Sequence, residues 1–428
     1  MFKKTSKKII ISGAIGNLLE MYDYMIWGLF SVFLSKAFLP PGSKLSDMFF
    51  LFLLTYILRP LSGFVGGMLA DQIGRKRMLT LSIILMGMCT ALVGILPSYN
   101  QVGVISVLLL LFIRLVQVFS AGSEYISSVS LLIESSEKNE KGYFGSWAAF
   151  GVNTGMLVAS LTGALVLYLI DLHVLPVWGW RLVFLLAFIT MLFGLWIRRS
   201  IPESKEFIET HARSEIRSLS HIFVNTMRLL KRQLFDSCVV FSLVLIGAAT
   251  TVMMFVYAPI HLVTVNTLSN TQALFMNSCG LAVVTVLIPV MGILSDIYGR
   301  VRILLTGITV ILLFSVPYFM CLTSGSWVYV LFCECLIAVP CAAIFAVTPV
   351  FITEIFPLSL RCSIVNLIYS LAACLGGGVT PIIAIKLGAR HDASPSYILL
   401  VFGMMSLIGL LLYTKKTNQQ THQLLLVD

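Results

Sequence analysis

Gly67-Met-Leu-Ala-Asp71-Gln-Ile-Gly74-Arg75 recurs 225 residues later as Gly292-Ile-Leu-Ser-Asp296-Ile-Tyr-Gly299-Arg300. Each copy is a short polar break between two long apolar runs. The glycines suit a tight turn and a close approach of backbone. A carboxylate there can meet a helix N-terminus or the arginine four residues on. A second pair keeps the same register. Glu134 and Lys141 stand seven apart, and so do Glu354 and Arg361. Two copies of one layout imply a duplicated chain whose halves carry equivalent loops.

The runs on either side set the class. Of the 428 residues 58% are hydrophobic and 11% charged, with a mean hydropathy of +0.97. A soluble chain carries about 25% charged residues, so there is too little charge here to coat a water-exposed surface. That excludes a soluble enzyme, a nucleic-acid-binding domain and a disordered chain. A membrane-spanning helix needs about 20 mostly apolar residues. Such segments are predicted at 9–35, 48–70, 78–96, 103–132, 142–170, 180–197, 233–261, 270–293, 303–322, 327–352, 361–386 and 396–413. The expected fold is therefore all-α, with twelve transmembrane helices in two pseudo-symmetric six-helix bundles. The bundles would cover 1–197 and 233–414, with a linker at 198–232 and a tail at 415–428. The first apolar run is too long for a signal-peptide core and is expected to stay as helix 1.

Cations set the orientation. With the N-terminus inside, 22 of the 29 Lys and Arg fall in inside segments, five in outside segments, and Arg59 and Arg114 within helices. The positive-inside rule then places both termini in the cytoplasm. The linker, with Glu203, Glu206, Glu209 and Glu215, is read either as an amphipathic helix on the inner surface or as a solvated connection. The nine cysteines have no metal-site spacing and are read as small buried hydrophobes. No cofactor and no metal is expected, and the six histidines are scattered.

Charges at bilayer depth mark function by default. Glu20, Asp23, Arg59 and Arg114 all fall near the midplane of the first half and sum to zero charge. Glu20 and Asp23 share a helical face, as do Arg114 and Gln117. Pairing across helices 1, 2 and 4 is expected, because an unpaired charge there costs several kcal/mol. One reading is a proton and substrate site with Asp23, Glu20 and Glu124 as proton-coupling acids and Arg59 in the charge network. The other is a static ion-pair network. Arg59 precedes Pro60 and has a third reading, satisfying the carbonyls that the proline frees. Glu334 is the one acid deep in a second-half helix, where transport and packing roles both stay open. The second half otherwise offers Tyr257, Asn277, Asn366, Tyr369 and Ser370. Aromatics expected near the first-half site are Tyr22, Tyr24, Trp27, Phe119, Tyr125, Trp147 and Phe150; they suit a quaternary ammonium or plain packing. The loop residues Gly67, Asp71, Gly74, Arg75, Glu134, Asp296, Gly299, Arg300, Glu354 and Arg361 read as a cytoplasmic gate that closes in one state and breaks in the other. Anchoring of Arg75, Lys76 and Arg77 to anionic lipid is the alternative.

Together these motifs resemble the major facilitator superfamily, whose signature loop is matched twice. Further details resemble its metabolite:proton symporter family, with its proline/betaine, α-ketoglutarate, citrate and shikimate carriers. They are Gly16-Asn17-Leu-Leu-Glu20-Met-Tyr22-Asp23-Tyr24, Arg59-Pro60-Leu, Arg114-Leu-Val-Gln117-Val-Phe-Ser-Ala-Gly122-Ser-Glu124-Tyr125, Gly145-Ser-Trp147, Trp178-Gly-Trp180-Arg181 and Pro202-Glu203-Ser204. Met21 stands where that family usually has Trp, and Val118 where Gly commonly follows the Gln. The tail 414–428 has no heptad pattern, so no coiled-coil extension is expected. The resemblance implies a proton-coupled importer of a small carboxylate-bearing metabolite, acting in the cytoplasmic (inner) membrane as a monomer with a small-molecule substrate, protons and lipid as partners. It implies no nucleic acid and no enzymatic activity. Arg114, Gln117, Asn17, Tyr24, Trp27, Trp147, Tyr257 and Tyr369 are the expected substrate-binding side chains. An exporter of a drug-like or siderophore-like compound and a non-transporting nutrient sensor are the alternatives.

Overall fold

The computed structural model describes residues 4–43, 45–122, 124–137, 139–199, 203, 208, 219–265, 270–324, 326–388 and 393–425. Among these the secondary structure is helical, without strands. Twelve spans follow the apolar runs: α1 Lys4–Leu29, extended by Ser31–Phe38; α2 Leu45–Ile73; α3 Arg75–Ile95; α4 Val104–Ala121, continued by Glu124–Glu134; α5 Lys141–Asp171; and α6 Arg181–Arg199. The second half holds α7 Leu234–Val252, continued through Met253–Tyr257 and Ala258–Val265; α8 Asn270–Tyr298; α9 Arg300–Cys321; and α10 Trp327–Ile355. It ends with α11 Arg361–Ala373, continued through Cys374–Val379 and Thr380–Gly388, and α12 Ser396–Leu425. Ten of these spans are long and apolar enough to cross a membrane taken singly; α1 and α2 complete the twelve.

The boundaries have local causes. Gly74 and Gly299 separate α2 from α3 and α8 from α9, with φ of 102° and 93°, a region that L side chains avoid. The two interruptions inside the second-half helices, Met253–Tyr257 and Cys374–Val379, are π-helical turns. The second of these carries three consecutive glycines.

Helix contacts divide the chain into two compact units. Unit 1 comprises 1–137, 147–223 and 357–370; unit 2 comprises 138–146, 224–356 and 371–428. In unit 1, Trp27, Phe30, Phe38, Trp180 and Phe184 form an aromatic core in edge-to-face contacts. Arg181 caps the end of α3, donating to the carbonyls of Gly94 and Leu96 at 3.0 and 2.8 Å. Helices α1 and α5 pack backbone to backbone, because a Cβ on Gly151 or Gly155 would fall onto the Ala14 or Leu18 carbonyl. In unit 2, Lys416 of α12 grips both Asp236 oxygens of α7 at 2.8 and 2.9 Å.

The structure adds detail to two of these readings and changes a third. The last helix continues through the expected tail to Leu425, since nothing in Lys415–Gln423 breaks a helix. The linker contains the helix Leu219–Arg232, which buries Ile222 and Thr226 and exposes Phe223, Val224, Arg228, Lys231 and Arg232. The linker acids Glu206, Glu209 and Glu215, and Pro202 and Ser204 of the Pro-Glu-Ser motif, lie outside the described residues. All nine cysteines are free, but only Cys89, Cys321, Cys341 and Cys362 are buried and Cys238 is exposed. In lipid an apolar side chain gains nothing by turning inward, so apolar surroundings in sequence do not imply burial.

Candidate functional site

The four charges expected near the midplane of the first half converge on one pocket within unit 1. It is lined by Glu20, Met21, Asp23 and Tyr24 of α1, Arg59 of α2, Met86 of α3, and Arg114, Gln117, Val118 and Ala121 of α4. Spacing explains the convergence. Glu20 and Asp23 are one turn apart on α1, and Arg114 and Gln117 one turn apart on α4, so each helix presents its pair on one face.

The four charges pair across helices. Arg114 Nη1 lies 3.5 Å from Asp23 Oδ2, and Arg59 Nη2 lies 3.5 Å from Glu20 Oε1. Asp23 is the more tightly held acid. Gln117 Nε2 donates to its Oδ1 at 3.0 Å, and the Thr90 hydroxyl of α3 stands 2.5 Å from the same oxygen. That hydroxyl is also 2.8 Å from the Met86 carbonyl and accepts from Gln117 Nε2 at 3.0 Å. Arg114 Nη1 donates to Gln117 Oε1 at 3.2 Å, and the guanidinium sits 4.4 Å from the centroid of the Trp27 ring. An arginine that can face a carboxylate of the protein or one of a solute is the chemistry such a pocket supplies.

The other expected site residues fall in different places. Asn17 is fully buried and donates to Ser128 Oγ at 2.6 Å and to the Gly13 carbonyl at 2.7 Å, tying α1 to α4. Tyr22 points to α6, its hydroxyl donating to the Val183 carbonyl at 3.0 Å, and Phe119 is 41% exposed, so neither lines the pocket. Tyr125 and Tyr369 pack as a tilted pair with centroids 5.3 Å apart, and Trp147 packs on Phe150 at 4.7 Å. Tyr257, in unit 2, stacks on His261, with Oη 3.3 Å from Nδ1. Glu124 is buried against Arg198, which also donates to the Leu79 carbonyl.

Sequence reasoning missed two of these groups. It counted Arg198 as a cation at the inner membrane surface, yet Arg198 is only 2% exposed. Its place at the end of an apolar helix hid this, because such arginines usually reach for headgroups. Thr90 lies inside an apolar helix, where a lone threonine commonly bonds its own helix; only its neighbours in space reveal the contact with Asp23.

The loop motifs form two carboxylate latches, one in each unit. In unit 1, Asp71 accepts from the backbone N–H of Cys362 at 3.3 Å and of Ser363 at 2.8 Å, and from Ser363 Oγ at 2.6 Å, at the first turn of α11. Arg75 Nη2 lies 3.3 Å from Asp71 and 3.4 Å from Glu134, and donates to the Leu358 carbonyl at 3.0 Å. Glu134 also meets Arg361 at 3.3 Å. In unit 2, Asp296 accepts from the N–H of Gly142 and Tyr143, both at 2.8 Å, at the first turn of α5. Arg300 lies 2.7 Å from Asp296 and 3.4 Å from Glu354. Negative charge at a helix N-terminus is favoured by the dipole and the free N–H groups. Arg75 is 1% exposed, which removes it as a lipid anchor, while Arg77 is exposed. Glu203 of the linker receives the Lys76 N–H at 3.1 Å, at the start of α3.

With this geometry in place, the sequence profile of the Major Facilitator Superfamily matches residues 14–284 and 239–425. The chain belongs to the Major Facilitator Superfamily. It is thus a multi-pass membrane transporter and not an enzyme. A putative proline/betaine transporter of Staphylococcus aureus is 29% identical over 417 residues, covering 96% of this chain and 88% of the relative. A glycine betaine/proline/ectoine/pipecolic acid transporter of Dickeya dadantii is 28% identical, covering 96% and 84%. The shikimate transporter of Escherichia coli is 28% identical, covering 89% and 88%. Among solved superfamily structures, the proton:xylose symporter XylE bound to 6-bromo-6-deoxy-D-glucose aligns with a TM-score of 0.74 at 18% identity, over 96% of this chain and 95% of that one. A bacterial homologue of the iron transporter ferroportin in the outward-facing state aligns with 0.71 at 16%, over 95% and 99%. At these identities the structural likeness concerns the fold.

Proposed function

We propose that this transporter imports a small carboxylate-bearing metabolite together with protons by alternating access. Zwitterions such as proline or a betaine are the first solutes to test, and an organic acid such as shikimate the next. The observation that carries this reading is Asp23. It is a buried carboxylate whose cation, Arg114, lies across a pocket at 3.5 Å and can be drawn away by another carboxylate. Protonation of Asp23 frees Arg114 for the solute; loss of the solute returns Arg114 to Asp23. Glu20 with Arg59 forms the adjoining half of the network, and Glu124 lies beyond the pocket, held by Arg198. The relatives are named for proline, betaines and shikimate, all of which bear a carboxylate, and this agrees with an arginine clamp.

The same reading assigns the working halves to 1–197 and 233–414 and both termini to the cytoplasm of a monomer in the inner membrane, on the strength of the cation bias of 22 to five. The two latches then act as the cytoplasmic gate, engaged in one state and released in the other.

The test is uptake of labelled proline, glycine betaine and shikimate into proteoliposomes under an imposed pH gradient, beside exchange at equal pH. Asp23→Asn is expected to abolish gradient-driven accumulation and keep exchange. Arg114→Lys is expected to lose both, because an ammonium cannot make the forked contact. Accumulation that survives in Asp23→Asn places the proton site elsewhere.

A further inference from the structure

Unit 2 contains a buried carboxylate that the proposed mechanism does not use. Glu334, on α10, is 4% exposed and is the eighth residue of its helix. Three helices meet at its side chain. From α9, the Tyr318 hydroxyl donates to Glu334 Oε2 at 2.5 Å. From α8, Gly280 stands against its stem, where an added Cβ would lie 2.8 Å from Glu334 Cγ. The titratable groups facing it are Tyr318 and Cys321 on α9 and Cys335 and Cys341 on its own helix, and Cys279 of α8 faces Cys335. No lysine, arginine or histidine pairs with it among the described residues. By contrast, Glu20, Asp23, Asp71, Glu124, Glu134, Asp236, Asp296 and Glu354 each meet an arginine or lysine.

Burying an unpaired anion at membrane depth costs several kcal/mol, and one phenol hydrogen bond cannot offset that. A neutral carboxylic acid avoids the cost and keeps the hydrogen bond. A glutamine would satisfy the same packing without any ionisable group. We propose that Glu334 is a second proton-binding carboxyl, carrying its proton between Tyr318 and Gly280, independent of the charged pocket in unit 1. The bound species is a proton: the acid O–H bond breaks on release, the electron pair stays on the carboxylate, and water takes the proton. Tyr318 then stabilises the anion through its hydroxyl, and Gly280, having no side chain, lets α8 pack directly against the stem and carboxyl of Glu334.

The test is infrared difference spectroscopy of the full chain in liposomes. Wild type minus Glu334→Gln at pH 7 is expected to show the stretching band of a protonated carboxyl, and that band should move on transfer to heavy water. Tyr318→Phe and Gly280→Ala keep the acid and should each shift the band; they also serve if Glu334→Gln fails to fold. Asp23→Asn should leave the band in place, so the result is read separately from the fate of the coupling site. Carboxylate bands from Glu334 at pH 7, or a carboxyl band unmoved after hours in heavy water, would overturn the proposal. The first outcome means an ionised side chain, and the second a sealed structural proton.

Discussion

Asp71 and Asp296 sit at the same place in two copies of one motif, and the chain uses them alike. Each carboxylate takes two backbone N–H groups from the first turn of another helix and pairs with the arginine four residues on. Their surroundings differ. In unit 1 the side chains of Arg75 and Glu134 are 2% and 0% exposed, and Glu134 joins Arg75 to Arg361. In unit 2 the corresponding Arg300 and Glu354 are 16% and 30% exposed. Attraction between charges grows as water is excluded, and so does the penalty of leaving one unpartnered. A duplicated motif has thus become one sealed latch and one that water reaches. The sealed latch should be the more costly to break.

The largest effect is expected from Asp71→Asn. It removes a charge facing a buried arginine, and breaking such a pair costs roughly 3–5 kcal/mol. Proteoliposome uptake should fall at least about tenfold, the equivalent of ~1.4 kcal/mol, while Asp296→Asn loses less. Equal losses in the two variants would erase the distinction between the latches.

Next comes Glu134→Gln, which leaves Arg75 and Arg361 facing each other without their shared anion. Thermal unfolding in detergent should register a loss of about 2–3 kcal/mol, in the range for a buried group losing a charged partner. A melting temperature unchanged from wild type would mean that water already screens this site.

Gly67→Ala and Gly292→Ala probe packing rather than charge, and the two latches should respond alike. A Cβ at Gly67 would stand 2.5 Å from the Cys362 carbonyl oxygen, and one at Gly292 would stand 2.7 Å from that of Gly142. Backbone contacts that tight force a shift, costing about 1–3 kcal/mol each as overpacking does. Uptake by the two variants, measured side by side, checks this; a tolerant Gly67 beside an intolerant Gly292 would reverse the ranking of the latches.

The smallest effect is expected for Glu354→Gln. A partly exposed pair is worth under about 1 kcal/mol and is screened by salt. Its uptake should stay within about twofold of wild type, and any deficit should disappear at high ionic strength. A loss as large as that of Glu134→Gln would show that exposure does not set the strength of these contacts.

How much of this could be read from the chain follows from the same physics. The twelve spans were legible because lipid demands uninterrupted apolar helices. The latch carboxylates were legible because the motif repeats, and the midplane charges because charge is so rare there. The pairing of Arg198 with Glu124 was not, since an arginine at a helix end has the same sequence signature whether it turns to headgroups or inward. Nor was the placement of Asn17, Tyr22 and Phe119, because apolar faces toward lipid and toward protein look alike in sequence. Met21 and Val118, the two departures from the metabolite:proton symporter pattern, both line the pocket, where substitutions change what fits more than whether the chain folds.

The guanidinium of Arg114 resting 4.4 Å from the Trp27 ring also makes the molecule its own optical probe. An indole's emission wavelength depends on the electric field across its ring, and a full positive charge over the face is a strong local field. On the proposed mechanism a solute draws Arg114 away from Asp23, and the colour of Trp27 fluorescence should change with it. A chain keeping Trp27 as its sole tryptophan would report the arginine's position in real time, without a label.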